Sequence, residues 1–161
     1  MMAMMEDSKI YRYEANIEPI DHTYLDMAIL WGNRRSYGVR LKVGVLIVDP
    51  EGYIISNGYN GMPSGEPNNQ MEILNLETKE WYTNPLALHG ESNALMRLTQ
   101  RTEKCTGATM YATVSPCSNC TKLILQAKIK RIVFSDYFRD VEGLPILKRR
   151  GIELVHLPRK P

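Results

Sequence analysis

Two hydrophobic periods alternate along the chain. Behind Pro19 and Asp21, HTYLDMAILWGNR brings Tyr24, Met27, Ala28 and Trp31 round at helical spacing, which predicts a helix over 21–35 with those side chains as its core stripe. The pattern then becomes strand-like: KVGVLIVDPEGYIISNGYN reads as a β-branched run, a turn at DPEG and a second strand, hence an antiparallel hairpin. Residues 61–85 are rich in Gly, Pro and Asn with one short apolar patch, the composition of an irregular insert with a functional or partner-facing role. From His89 onward helix and strand alternate: HGESNALMRLTQR then ATMYATV, CSNCTKLILQAK then RIVFSD, and a last helix near VEGLPILKRR, weakened by Pro145, before IELVHL. That alternation predicts parallel strands with helices packed on the sheet faces. Residues 1–18 lack a clear period and read as a flexible lead, leaving 19–161 as a single domain.

Composition narrows the class without changing this picture. Of 161 residues, 43% are apolar and 24% charged, ordinary for a soluble globular chain, and the net charge of +2 includes no block of like charges. Weak attraction to a phosphate backbone follows, so no nucleic-acid partner is expected, and Arg34–Arg35, Arg149–Arg150 and the RKP tail read as solvated surface. No apolar run reaches the ~20 residues of a membrane span, and the first residues lack the apolar core of a secretion signal. A cytoplasmic location is the expectation. Three cysteines, two of them in one Cys-x-x-Cys, suit a reducing compartment where thiols act as ligands or redox groups.

The candidate chemistry lies in two short segments. In SPCSNC, Cys117 and Cys120 stand three apart at the start of a helix, so both sulfurs leave one face where the helix dipole favours thiolates. Alone, the pair could equally be a redox dithiol or two packed small side chains. HGE at 89–91 opens the preceding helix. Taken together, His89, Cys117 and Cys120 make three zinc ligands with a fourth position left for water, and Glu91 stands ready to move protons there. Cys105 reads as a packed thiol, and His22 and His156 as helix-start and strand-end residues.

These segments, in this order, resemble the deoxycytidylate deaminase family of the cytidine deaminase-like superfamily. The likeness runs from about residue 21 to 156: RLKVGVLIVDPEGYIISNGYNGMPSG is similar to the family's R-x-K/Q-V-G strand, hairpin and G-Y-N-G-x-P-x-G segment, HGESNAL to H-A-E-x-N-A, and MYATVSPCSNCTKLILQAKIKRIVF to its second zinc segment. The resemblance implies a three-layer α/β/α sandwich around a mixed five-stranded sheet, and hydrolysis of dCMP to dUMP and ammonia, supplying dUMP for thymidylate synthesis. By the same likeness, zinc-bound hydroxide attacks C4 of cytosine while Glu91 protonates N3 and then serves the departing amine. Asn60 would bond the deoxyribose 3′-hydroxyl, the Gly90 amide the base carbonyl, and the Ser115 carbonyl the exocyclic amine. Arg40 matches the position for a 5′-phosphate, for which a guanidinium fork is well shaped. Tyr137, Phe138 and Arg139 resemble a loop closing over the pocket, and Asn93 either contacts substrate or braces the site.

Gly90 stands where relatives carry alanine, which should loosen the turn. With only Cys105 spare, one zinc per chain is expected and a second, structural zinc is not. Relatives are often hexamers switched by dCTP and dTTP through the segment matching Gly58, Tyr59, Gly61, Met62, Pro63 and Gly65, which implies a homo-oligomer and possible effectors here. Three other readings stay open: an adenosine deaminase acting on tRNA, against which the thin charge and GYNGMPSG count; a cytidine deaminase, which generally has cysteine at the place of His89; and a zinc-stabilised binding module without turnover.

Overall fold

The computed structural model describes Tyr13 and residues 16–159. Helix α1 (Pro19–Arg35) is followed by β1 (Gly44–Val48), β2 (Ile54–Tyr59), a 3-10 turn (Asn68–Gln70), β3 (Glu72–Leu74), β4 (Trp81–Thr83), α2 (Gly90–Leu98), β5 (Thr109–Val114), α3 (Ser118–Gln126), β6 (Arg131–Asp136), α4 (Leu144–Arg149) and β7 (Glu153–His156). Five strands form one mixed sheet in the order β2-β1-β5-β6-β7. β1 pairs antiparallel with both β2 and β5, whereas β5, β6 and β7 run parallel.

Alternation along each strand sorts side chains into two cores. Val45, Ile47, Met110, Ala112, Ile132 and Phe134 face one way, against Ala94 and Leu98 of α2, Ile124 of α3, and Leu144 and Leu147 of α4. Leu46, Val48, Tyr111, Val133 and Val155 face the other way, against Leu25 and Ala28 of α1. The result is the expected three-layer α/β/α sandwich, with β1 apolar on both faces because both are covered. Each fully buried Ile or Phe in these layers contributes about 1.5–3 kcal/mol.

The buried stripe of α1 differs from the expected one: it is Asp21, Leu25, Ala28 and Gly32, while Met27 is 42% exposed and Tyr24 and Trp31 flank the contact. Both sets satisfy helical spacing, and the small residues win because they let the helix lie close on β1. Pro19 occupies the first turn of α1, and the Glu18 amide donates to the Asp21 carboxylate at 2.8 Å, which fastens the helix start. Pro145 likewise sits in the first turn of α4, where its missing N–H is harmless.

The insert carries structure that its composition hid. β3 and β4 form a small antiparallel hairpin, Glu72 opposite Thr83, and Lys79 takes a left-handed φ of 61° in the connecting turn. Of the expected lead, residues 1–12, 14 and 15 lie outside the described residues. Tyr13 is buried and its carbonyl accepts from the His156 amide, and the Asn16 carbonyl accepts from Arg131 at 2.8 Å. Among the described residues no helix is long and apolar enough to cross a membrane.

Candidate active site

The first turns of α2 and α3 meet where β5 and β6 end. His89 is the N-cap of α2 and Cys117 the N-cap of α3, both in extended backbone. The Ser115 amide donates to the Asp136 carbonyl at 2.8 Å and the Phe138 amide to Ser115 Oγ at 2.8 Å, so the segment after β6 is laced to the one entering α3. Asp140 completes the join, accepting from the Ser118 amide at 2.9 Å and the Ser118 hydroxyl at 2.7 Å.

His89 turns Nδ1 toward Cys117 Sγ, 3.3 Å away, and Cys120 Sγ, 3.5 Å away, and all three donor atoms lie within 4.8 Å of one another. One imidazole nitrogen and two sulfurs fit zinc, and three protein ligands with no fourth among the described residues are the donor set expected of a catalytic centre. Cys105 is not that fourth ligand, since its thiol donates to the Ala127 carbonyl at 3.1 Å. Among the described residues this is the single His/Cys/acid cluster able to hold a metal. Cys120 and then His89 beside it pull the Cys117 thiol well below its ordinary value, whereas the neighbouring Cys117 and burial push the Cys120 thiol up.

Glu91, in the first turn of α2, is 3% exposed, and its Oε2 lies 3.7 Å from Cys120 Sγ. Burial raises its carboxyl to about 7, against the lowering effect of its own amide and of His89. A buried acid with no guanidinium paired to it among the described residues, near a cluster able to hold a metal, is suited to exchanging protons.

A cavity of about 300 Å³ opens over this corner. His89, Glu91 and Cys117 line its inner end, Val43, Met71 and Val114 its apolar walls, and the exposed residues Arg40, Thr83 and Arg139 its outer end. Asn60, Gly90 and Ser115 also line it, as expected. Asn60, however, is largely committed to the protein: its Oδ1 accepts from the Ser36 hydroxyl and from the Val43 amide at 2.9 Å, and its Nδ2 donates to the Leu41 carbonyl at 2.9 Å. One amide hydrogen remains.

Other expected residues lie elsewhere. Tyr137 is not among the cavity-lining residues; its ring packs edge-on against Phe134 and tilted against His156, and Phe138 is the aromatic that lines the cavity. Asn93 is a brace, donating to the Tyr59 carbonyl at 2.9 Å. Gly90 keeps an ordinary φ, and a Cβ there would press on Val45 at 3.0 Å and Val43 at 3.1 Å, so glycine brings α2 closer to β1. Gly58 is a packing position too: a Cβ would lie 2.3 Å from the Gly90 carbonyl oxygen. Tyr59 has the guanidinium of Arg35 5.5 Å and that of Arg97 5.2 Å from its ring centroid. Gly61 bridges to Leu88, Met62 is buried, Pro63 is half-buried, and Gly65 turns the chain at φ 90°.

Residues 19–136 match the family model of the cytidine and deoxycytidylate deaminase zinc-binding region. The chain belongs to this deaminase family. It is 38% identical over 109 residues to the deoxycytidylate deaminase of Pongo abelii, covering 66% of this chain and 60% of that one. It is 31% identical over 157 residues to the enzyme of Enterobacteria phage T4, covering 74% and 80%. The dCMP deaminase of cyanophage S-TIM5, solved in complex with dCMP and dUMP, superposes with a TM-score of 0.76 at 33% identity, covering 88% of this chain and 100% of that one. The chain thus spans about three-fifths of the length of the mammalian deaminases it matches and the whole of the phage fold.

Within this deaminase fold, six cavity residues are ones the sequence did not single out: Leu41 and Val43 ahead of β1, Met71, Glu72 and Thr83 from the insert, and Val114 at the end of β5. The β-prone triplets EIL and WYT flanking NLETKE were the available signal for the hairpin.

Proposed function

We propose that this chain is a zinc-dependent dCMP deaminase that hydrolyses dCMP to dUMP and ammonia, supplying dUMP for thymidylate synthesis. The observation that carries the reading is the buried Glu91 carboxyl beside the His89, Cys117 and Cys120 donors, at the inner end of a cavity whose outer end holds two arginines. One ion per chain, held by these three residues, would supply Lewis acidity and make water nucleophilic near neutral pH. Glu91 delivers a proton to N3 of cytosine and later carries one to the departing amine. The Gly90 amide meets the base carbonyl, and the Ser115 carbonyl receives the exocyclic amine. Asn60 has one amide hydrogen left for the 3′-hydroxyl, and Arg40 with Arg139 binds the 5′-phosphate, while Phe138 closes the apolar side. The dCMP and dUMP bound by the cyanophage relative support this substrate class.

A substrate panel tests the reading: dCMP, CMP, deoxycytidine, dCTP and a tRNA stem-loop, each followed for ammonia release. Turnover is expected to be fastest on dCMP; a fully zinc-loaded protein silent on dCMP, or one preferring the stem-loop, contradicts it. Effector control by dCTP and dTTP belongs to the same proposal, supported by the two guanidiniums flanking Tyr59 with no carboxylate in salt-bridge contact among the described residues. Titrating both nucleotides into the rate assay should shift the substrate curve in opposite directions, and flat responses would remove that part. A cytoplasmic homo-hexamer is proposed from the family likeness, with Ile20, Met27 and Leu30 exposed on α1 as surface that assembly could cover.

A further inference from the structure

Arg40 does not reach the cavity as a loose side chain. Its Nε donates to Glu72 Oε1 at 2.7 Å, Nη1 to the Trp81 carbonyl at 3.0 Å, and Nη2 to Thr83 Oγ1 at 3.0 Å. The second oxygen of Glu72 accepts from the amides of Val39 and Arg40, the latter at 2.9 Å. Glu72 is therefore a buried carboxylate, its side chain 5% exposed, that grips both the backbone and the head group of one arginine from 32 residues away. Burial pushes its carboxyl up, but Arg40 and the two amides outweigh burial and hold it below the usual glutamate value, so it stays charged at neutral pH.

A guanidinium has five N–H donors. Three are taken by the β3–β4 hairpin, leaving one on each terminal nitrogen, and a pair of N–H groups is what a phosphate accepts from an arginine fork. We propose that Glu72 is a positioning residue for the nucleotide's 5′-phosphate, and that the hairpin serves to present Arg40 as a rigid, half-occupied fork at the cavity's outer end. The rotamer freedom of the long side chain is then lost on folding and not again at each binding event. The Glu72 charge offsets part of Arg40's attraction for any anion, so discrimination rests on the geometry of the remaining donors. This inference rests on the assignment of the phosphate to Arg40.

The test uses the zinc-loaded full chain and steady-state kinetics on dCMP and on deoxycytidine, which lacks the phosphate. Arg40→Ala should collapse the preference for dCMP, measured as the ratio of kcat/KM values, by about 100-fold. Glu72→Gln, which keeps the shape but cannot serve all three donors, should raise KM for dCMP about tenfold with kcat held within about twofold, and should add nothing in the Arg40→Ala background. A role in folding alone would instead lower kcat on both substrates together and lower Tm. If Arg40→Ala leaves the preference intact, the phosphate assignment fails and the inference with it. If Arg40→Ala collapses the preference while Glu72→Gln leaves KM for dCMP unchanged, Glu72 alone is misassigned. Should Glu72→Gln prove insoluble, Thr83→Val decides: a rise in KM for dCMP of about threefold supports the hairpin's role, and an unchanged KM overturns it.

Discussion

Asp21 and Glu91 are both buried carboxylates in the first turn of a helix, yet the protein treats them in opposite ways. Asp21 is wholly buried and accepts from Arg131 Nη1 and Nη2 at 2.7 Å each, from the Tyr111 hydroxyl at 2.8 Å and from the Glu18 amide at 2.8 Å. Glu91, almost as buried, has the Cys120 thiol and its own helix end for company. Burial pushes both carboxyls up. At Asp21 the four donors outweigh it and hold the group below the ordinary aspartate value, whereas at Glu91 burial wins and the carboxyl rises to about 7. Arg131 opens β6, while Glu91 stands with Cys117 at the cavity over the strand ends. The contrast separates a carboxylate that ties the sheet to α1 from one that burial holds near neutrality, as the proposed proton carrier requires.

Substitution should break this pair apart. Asp21→Asn removes the carboxylate that takes both Arg131 Nη groups and leaves the buried guanidinium only the longer ion pair to Glu153 at 3.4 Å, so the loss of stability should be about 3–5 kcal/mol by chemical denaturation. Glu91→Gln removes no ion pair, so its Tm should stay within a few degrees of wild type. Equal losses for the two would contradict the comparison.

The pH dependence sharpens it. Because the Asp21 carboxyl is held lower in the folded than in the unfolded chain, its stabilisation is full above the unfolded value of about 3.9 and is lost as the pH falls through the folded one. Wild type should therefore lose stability steeply below about pH 4, and Asp21→Asn should lose less over the same range; parallel curves would remove Asp21 from the account. A smaller effect is expected when Arg131→Met is added to Asp21→Asn. Removing the stranded cation should recover about 1–2 kcal/mol of the single variant's loss, and no recovery would mean that the guanidinium was not the source of the cost. Smallest of all, Gly90→Ala asks Val43 and Val45 to yield by a few tenths of an ångström and should cost less than about 1.5 kcal/mol.

How much of this was legible in the sequence depended on distance along the chain. The ligands and Glu91 sit at helix starts, so each half of the site is a run of a few consecutive residues, HGE and PCSNC, that can be read directly. The antiparallel hairpin and the parallel pairing followed from the alternating periods, and the three-layer mixed sheet from the family likeness; the strand order did not. What escaped was pairing between remote residues. Nothing near Glu72 announces that it grips Arg40, and nothing in GYNG announces that Asn60 spends three of its four hydrogen-bonding positions on Ser36, Val43 and Leu41. The stripe of α1 differs from the expected one because helical spacing alone does not choose between faces one residue apart; Ala28 is common to both, and Gly32, against the Gly44 backbone, favours the observed face.

The most direct measurement is ammonia release from dCMP by wild type and Glu91→Gln, with zinc content determined on the same samples. Both should retain about one zinc per chain while the variant's kcat falls by roughly 10²–10⁴-fold, the loss of a positioned proton carrier. Comparable rates at equal zinc content would contradict this, as would a fully loaded wild type that releases no ammonia.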